Sequence, residues 1–89
     1  MKARVFVTLK PSVFDPQGST IAGALHSLGY DTVTDVRQGK YFELDVDVPS
    51  AGEAERIAKE VADRVLANPV IESVRIELPG SDGSVGGTR

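Results

Sequence analysis

Three groups of side chains have types and spacings that chemistry could use. Glu43, Asp45 and Asp47 alternate along one stretch, as oxygen ligands for a hard cation such as Mg²⁺ or Ca²⁺ would. Residues 9–18, "LKPSVFDPQG", place a lysine, an aspartate and two prolines directly after an apolar run, where a helix N-terminus could cradle an anion. His26 is the only histidine and a general base in principle.

Each group has a simpler reading. Carboxylates at i and i+2 of a strand stand about 6.5–7 Å apart, which is wide for shared ligation. Arg4, Arg37 and Arg75 are placed to act as counter-charges on a solvated face. The stretch 9–18 lacks the G-x-x-x-x-G-K-[ST] pattern of a phosphate loop. Asp15 suits a helix N-cap and would fill the anion seat itself, Pro16 suits the first helical position, and Lys10 stays available to an anion nearby. His26 lies off the apolar face of its helix, with no local partner or pocket. Serines and threonines show no nucleophile-elbow pattern. The expectation is a chain with no catalytic residue and no metal site of its own.

The elements that must position these residues follow from periodicity. In "ARVFVTL" (3–9), Ala3, Val5, Val7 and Leu9 share one face of a strand, with Phe6 on the other. "DPQGSTIAGALHSLGY" (15–30) predicts a helix with Ile21, Ala24, Leu25 and Leu28 on one face and a stop at Gly29. "TVTDVRQGKYFELDVDV" (32–48) predicts two strands around a tight turn at Gln38-Gly39, with a positive φ at Gly39. In the second of them Phe42, Leu44, Val46 and Val48 face inward. A second helix opens on the capping box of Ser50 and Glu53, buries Ala54, Ile57, Ala58, Val61, Val65 and Leu66, and ends at Asn68-Pro69. "ESVRIEL" (72–78) is a last strand with Val74, Ile76 and Leu78 inward.

The order β-α-β-β-α-β predicts an α+β, ferredoxin-like split-βαβ domain: a four-stranded antiparallel sheet with two helices on one face. Residues 1–79 form this one domain, and the Gly/Ser-rich residues 80–89 are expected to be a disordered tail. The other face of the sheet has no helical cover. Phe6 and Tyr41 sit there among charges, which points to a contact with another chain.

Composition narrows the function. A chain of 89 residues with three Phe, two Tyr and no Trp has room for one thin core, which oligomerisation would assist. The absence of Cys excludes disulfides, thiolate metal sites and cysteine nucleophiles. A net charge of −3 without a basic stripe disfavours nucleic acid. With no apolar run of membrane-spanning length and no signal-peptide core, the expected location is the cytoplasm, away from membranes.

Several stretches, in order, resemble the PurS family. They are Leu9-Lys10 with Asp15-Pro16-Gln17-Gly18, then Arg37-Gln38-Gly39-Lys40, then Leu66-Ala67-Asn68-Pro69 with Ile71-Glu72. The resemblance implies a small, non-catalytic subunit of phosphoribosylformylglycinamidine synthase, in de novo purine biosynthesis. It implies a homodimer or homotetramer that bridges a glutaminase subunit and a large synthetase subunit and supports ammonia transfer between them. No cofactor is implied on this chain; ATP and Mg²⁺ belong to the synthetase. The stretch 9–18 then becomes a shaped turn offered to a partner. Lys10, Phe14, Asp15, Arg37, Lys40 and Asn68 are the expected partner-interface residues, with Phe6 and Tyr41 at the oligomer interface. The alternatives on the same fold are an ACT-like small-molecule regulatory module and, ranked lower, an acylphosphatase-type enzyme, whose first loop would want an arginine where this one has Lys10 and Asp15.

Overall fold

The computed structural model describes residues 1–79; the expected tail, residues 80–89, lies outside them. Three strands and two helices follow in the order β1 (Lys2–Leu9), α1 (Pro16–Ser27), β2 (Gly39–Asp45), α2 (Ala51–Val61) and β3 (Glu72–Glu77), with one π-helical turn, Ala62–Leu66, extending α2. The sheet order is β2-β1-β3, and both pairings are antiparallel. Among the described residues no helix is long and apolar enough to cross a membrane.

The core forms where the alternating face of β1 meets α2. Ala3, Val5 and Val7 are fully buried against Ala54, Ala58 and Ala62. These three alanines recur every four residues, so they form one ridge small enough for the helix to lie close to the sheet. Phe42, Leu44, Val74 and Ile76 flank the contact, each half-buried. Burying Val5 and Val7 contributes roughly 2 kcal/mol each. Ser50 Oγ accepts the Glu53 N–H at 3.3 Å, which is half of the expected capping box.

Three sequence expectations need correction. The first concerns the fourth strand. Residues 33–38 form no strand and pair with none, so the sheet has three strands among the described residues. Gly39 does not make the tight turn: Gly29 is the described glycine with a positive φ. Gly39 instead opens β2, opposite Thr8 of β1. It must be glycine because a Cβ there would collide with Val7 O and press on Thr8 Cγ2.

The second correction concerns α1, which does not share the sheet face with α2. Its body is largely exposed: Ile21 is 40% and Leu28 74% accessible. Its ends are as expected. Asp15 caps the start, and Gly29 (φ 97°) closes it, with Gly29 N–H donating to His26 O and Tyr30 N–H to Leu25 O, both at 3.0 Å.

The third correction concerns Val65, expected in the buried stripe of α2 and found 76% exposed. The π-turn, closed by Ala67 N–H on Ala62 O at 2.8 Å, adds a residue to the last turn and rotates Val65 away from the sheet.

Two glycines should respond in opposite ways to alanine. Gly39→Ala should destabilise the chain by about 1–3 kcal/mol in urea unfolding, since strand backbone must move to admit the methyl. Gly52→Ala, in α2 with open space around it, should stabilise by about 0.4–1 kcal/mol.

Candidate functional site

The chemistry-bearing residues gather at one end of the sheet, where β1 stops, β2 begins and α2 returns to β3. The loop after β1 enters a turn, with Val13 N–H on Lys10 O at 2.9 Å, and is tied to the start of β3 by Lys10 N–H on Ile71 O at 2.9 Å. Pro11 and Pro16 bracket it and limit its freedom.

Asp15 holds this end together. Its side chain is buried at 5% accessibility, the one buried charged residue among those described. Oδ1 accepts the Gly18 N–H at 2.9 Å, which caps α1, and Oδ2 accepts the Gln38 N–H at 2.8 Å, twenty-three residues away in sequence. The Gln38 N–H, then the Gly18 N–H, hold its carboxyl below the usual carboxylate range; the Arg37 charge adds to this. A phosphate has no place here, because a carboxylate already sits where the anion would go.

Arg37 braces the same loop. Its Nη2 donates to Lys10 O at 2.9 Å and to Val13 O at 2.8 Å. It is therefore not a counter-charge for the strand carboxylates. Gln38 Nε2 donates to Gln17 Oε1, and a Cβ at Gly18 would collide with Val36 O. Residues 36–38 are thus pressed onto the loop and the first turn of α1. His26 has a partner that its sequence neighbourhood did not suggest: its Nε2 donates to Val33 O at 2.7 Å, fastening the far end of α1 to the same returning segment.

Other residues of the group face outward. Phe14 is 72% exposed. The Lys10 ammonium has no ion-pair partner among the described residues. Lys40 Nζ lies 3.7 Å from Glu72 Oε2 and donates to Leu66 O at 3.4 Å, tying β2 to the π-turn. Asn68 shapes the turn into β3: its Oδ1 accepts the Val70 N–H at 3.1 Å, and its own N–H donates to Glu72 Oε1 at 2.7 Å. Val70 beside it is 77% exposed.

On the open sheet face, the Phe6 and Tyr41 rings lie 5.1 Å apart, and the Arg75 guanidinium stands 4.2 Å over Phe6. Tyr41 Oη donates to Glu43 at 2.7 Å, which raises the phenol pKa and, with Lys2 at 3.6 Å, lowers that of Glu43. Arg75 also pairs with Glu77. Glu43 is thus engaged by a tyrosine and a lysine.

Fold and site together define a small α+β domain whose polar groups shape its own turns and present one end of the sheet outward. A family model described as "PurS: Phosphoribosylformylglycinamidine (FGAM) synthase" matches residues 2–80. The phosphoribosylformylglycinamidine synthase subunit PurS of Bacillus subtilis is 48% identical over 77 residues, covering 86% of this chain and 90% of that protein. Among solved structures, Methanocaldococcus jannaschii PurS, one of the subunits of formylglycinamide ribonucleotide amidotransferase in the purine biosynthetic pathway, aligns with a TM-score of 0.77 at 33% identity, covering 85% of this chain and 92% of that one. A chain of PurLQS from Thermotoga maritima aligns with a TM-score of 0.78 at 30% identity, covering 85% and 93%.

The chain belongs to the PurS family, the family of a phosphoribosylformylglycinamidine synthase subunit in purine biosynthesis.

Because the folded Asp15 pKa is lowered, its contribution to stability is complete above the unfolded value near 3.8 and is lost as pH falls through the folded value. Asp15→Asn should lower Tm by several degrees at neutral pH. Thermal unfolding followed from pH 7 down to 2.5 should show that gap closing below about pH 3.8.

Proposed function

We propose that this chain is the small, non-catalytic subunit of phosphoribosylformylglycinamidine synthase, bridging a glutaminase subunit and a large synthetase subunit and supporting ammonia transfer between them. The carrying observation is the family match over residues 2–80, joined to a fold shared with a chain of PurLQS. The residue chemistry supports the same reading. Asp15 and Arg37 are used up in shaping the 10–18 turn, and Phe14, Lys10, Lys40 and Asn68 are what that end offers to another protein. Pro11 and Pro16 reduce the conformational freedom lost when such a turn docks. ATP and Mg²⁺ act on the synthetase, with no cofactor on this chain. The complex works in the cytoplasm, and this subunit acts as a homodimer or homotetramer, with Phe6 and Tyr41 on an oligomer contact.

The test is a reconstitution with the glutaminase and synthetase subunits of the same source, following mass by light scattering and amidine formation from glutamine or from free ammonia. Omitting this chain should abolish assembly and the glutamine-dependent reaction while sparing the ammonia-dependent one. Assembly and activity unchanged in its absence would overturn the reading. Within a working complex, Lys40→Glu or Phe14→Ala should weaken assembly roughly tenfold or more, the size expected for a contact residue worth over 1 kcal/mol.

A further inference from the structure

The outer edge of β3 carries hydrogen-bonding groups that the sheet does not use. Lys10 N–H donates to Ile71 O, and the register then pairs Thr8 with Ser73, Phe6 with Arg75 and Arg4 with Glu77. The odd-numbered residues of β3 are therefore the ones that bond β1. The other side of β1 has the matching phase: Val46 N–H donates to Met1 O at 2.7 Å, so odd-numbered residues of β1 bond toward β2. Glu72, Val74 and Ile76 must direct their N–H and C=O groups outward. The Glu72 N–H is taken by Asn68 O at 2.8 Å. Beyond Val74 and Ile76 no further strand follows among the described residues. Their donors and acceptors alternate as a ladder edge does.

Native edges are ordinarily blunted by proline, a bulge or an obstructing charge. β3 contains no proline, and its register with β1 is unbroken from Glu72 to Glu77. Arg75 is drawn over the open sheet face, 4.2 Å above Phe6 and paired with Glu77.

A row of charges on α2 and its π-turn overlooks this edge. Glu55, Lys59 and Asp63 line one groove of about 430 Å³ with Val74 and Ile76. All three are exposed, and none has an ion-pair partner among the described residues. Four helical residues advance about 6.0 Å. Two strand residues advance about 6.4–6.8 Å. A strand laid on β3 thus keeps alternate side chains in step with a negative, a positive and a negative charge. Its complement is a basic, an acidic and a basic residue at i, i+2 and i+4. A second copy cannot supply that pattern, because no Lys or Arg in the chain stands four residues from another.

We propose that the β3 edge binds an extended segment of a different protein, which adds a strand through Val74 and Ile76 and sets a basic–acidic–basic row against Glu55, Lys59 and Asp63. Backbone bonds supply the attachment and the charge row supplies the choice of segment. The surface lies across the sheet from β2 and Lys40, so it adds to the proposed function without resting on it.

The test uses two end-blocked peptides of equal length and β-propensity, Thr-Lys-Val-Glu-Val-Lys-Thr and its charge-reversed form Thr-Glu-Val-Lys-Val-Glu-Thr. Each is titrated into the labelled full chain while the Val74 and Ile76 amides are followed by NMR. The first peptide should shift both amides and bind at least about tenfold more tightly than the second, with the difference shrinking in high salt. N-methylation of the peptide amides that face the edge should abolish the shifts. A chain carrying Glu55→Lys, Lys59→Glu and Asp63→Lys, all at exposed positions away from the core, should reverse the preference. Equal binding of the two peptides, a preference that the triple variant leaves unchanged, or no shift of either amide at several millimolar peptide would each overturn the proposal. Val74 and Ile76 amides already protected from exchange by a second copy would overturn it as well.

Discussion

One carboxylate holds together the end of this molecule that faces outward. Asp15 accepts from Gly18 N–H and from Gln38 N–H at once, so a helix cap and a long-range backbone tie share one side chain. The cap alone is local and would fix only the start of α1. The second bond sets the path of residues 36–38, and Arg37, drawn into the same place, then donates to Lys10 O and Val13 O. Buried carboxylates are costly unless hydrogen-bonded, and here two backbone donors provide the compensation. The turn after β1, the start of α1 and the approach to β2 therefore behave as one unit.

That unit rests on a core that is small but well defined. The alanine ridge of α2 on Ala3, Val5 and Val7 gives the sheet a rigid centre, and Lys10 N–H on Ile71 O and Lys40 on Glu72 connect the outward end to it. The core does not extend to α1. The first helix is held by its cap, by His26 on Val33 O and by the tie at Gln38, and Ile21 and Leu28 are exposed among the described residues.

Much of this was legible in the sequence. Period-two alternation located β1, β2 and β3, and Asp15-Pro16, Gly29 and Ser50 marked helix ends that the structure places within a residue. The misreadings share a cause. Gln38-Gly39 has the composition of a hairpin turn, yet Gly39 is needed because Val7 O and Thr8 approach it, a demand that only the folded pair creates. "TVTDV" (32–36) has strand-like residues, but the bond from Asp15 to Gln38 diverts it, and no local pattern reports a bond spanning twenty-three residues. Val65 fits a 3.6-residue stripe until the π-turn shifts the phase. His26 lacked a visible partner because its acceptor is a backbone carbonyl, which every residue carries. The proposed partner-interface residues rest on the resemblance to PurS; spacing alone reads Asp15 as a cap and Arg37 as a surface charge.

The double acceptor role of Asp15 is the claim on which the rest stands, and its amide partners report on it directly. Amide proton shifts of Gly18 and Gln38 can be followed by NMR as the folded chain is titrated from pH 6 down to 2. Both resonances should move together with one common midpoint below 3.8, the ordinary value for an aspartate. A Gln38 amide that ignores the titration, or a midpoint at or above 3.8, would mean that the long-range tie does not exist in solution and that α1 and residues 36–38 are held by something else.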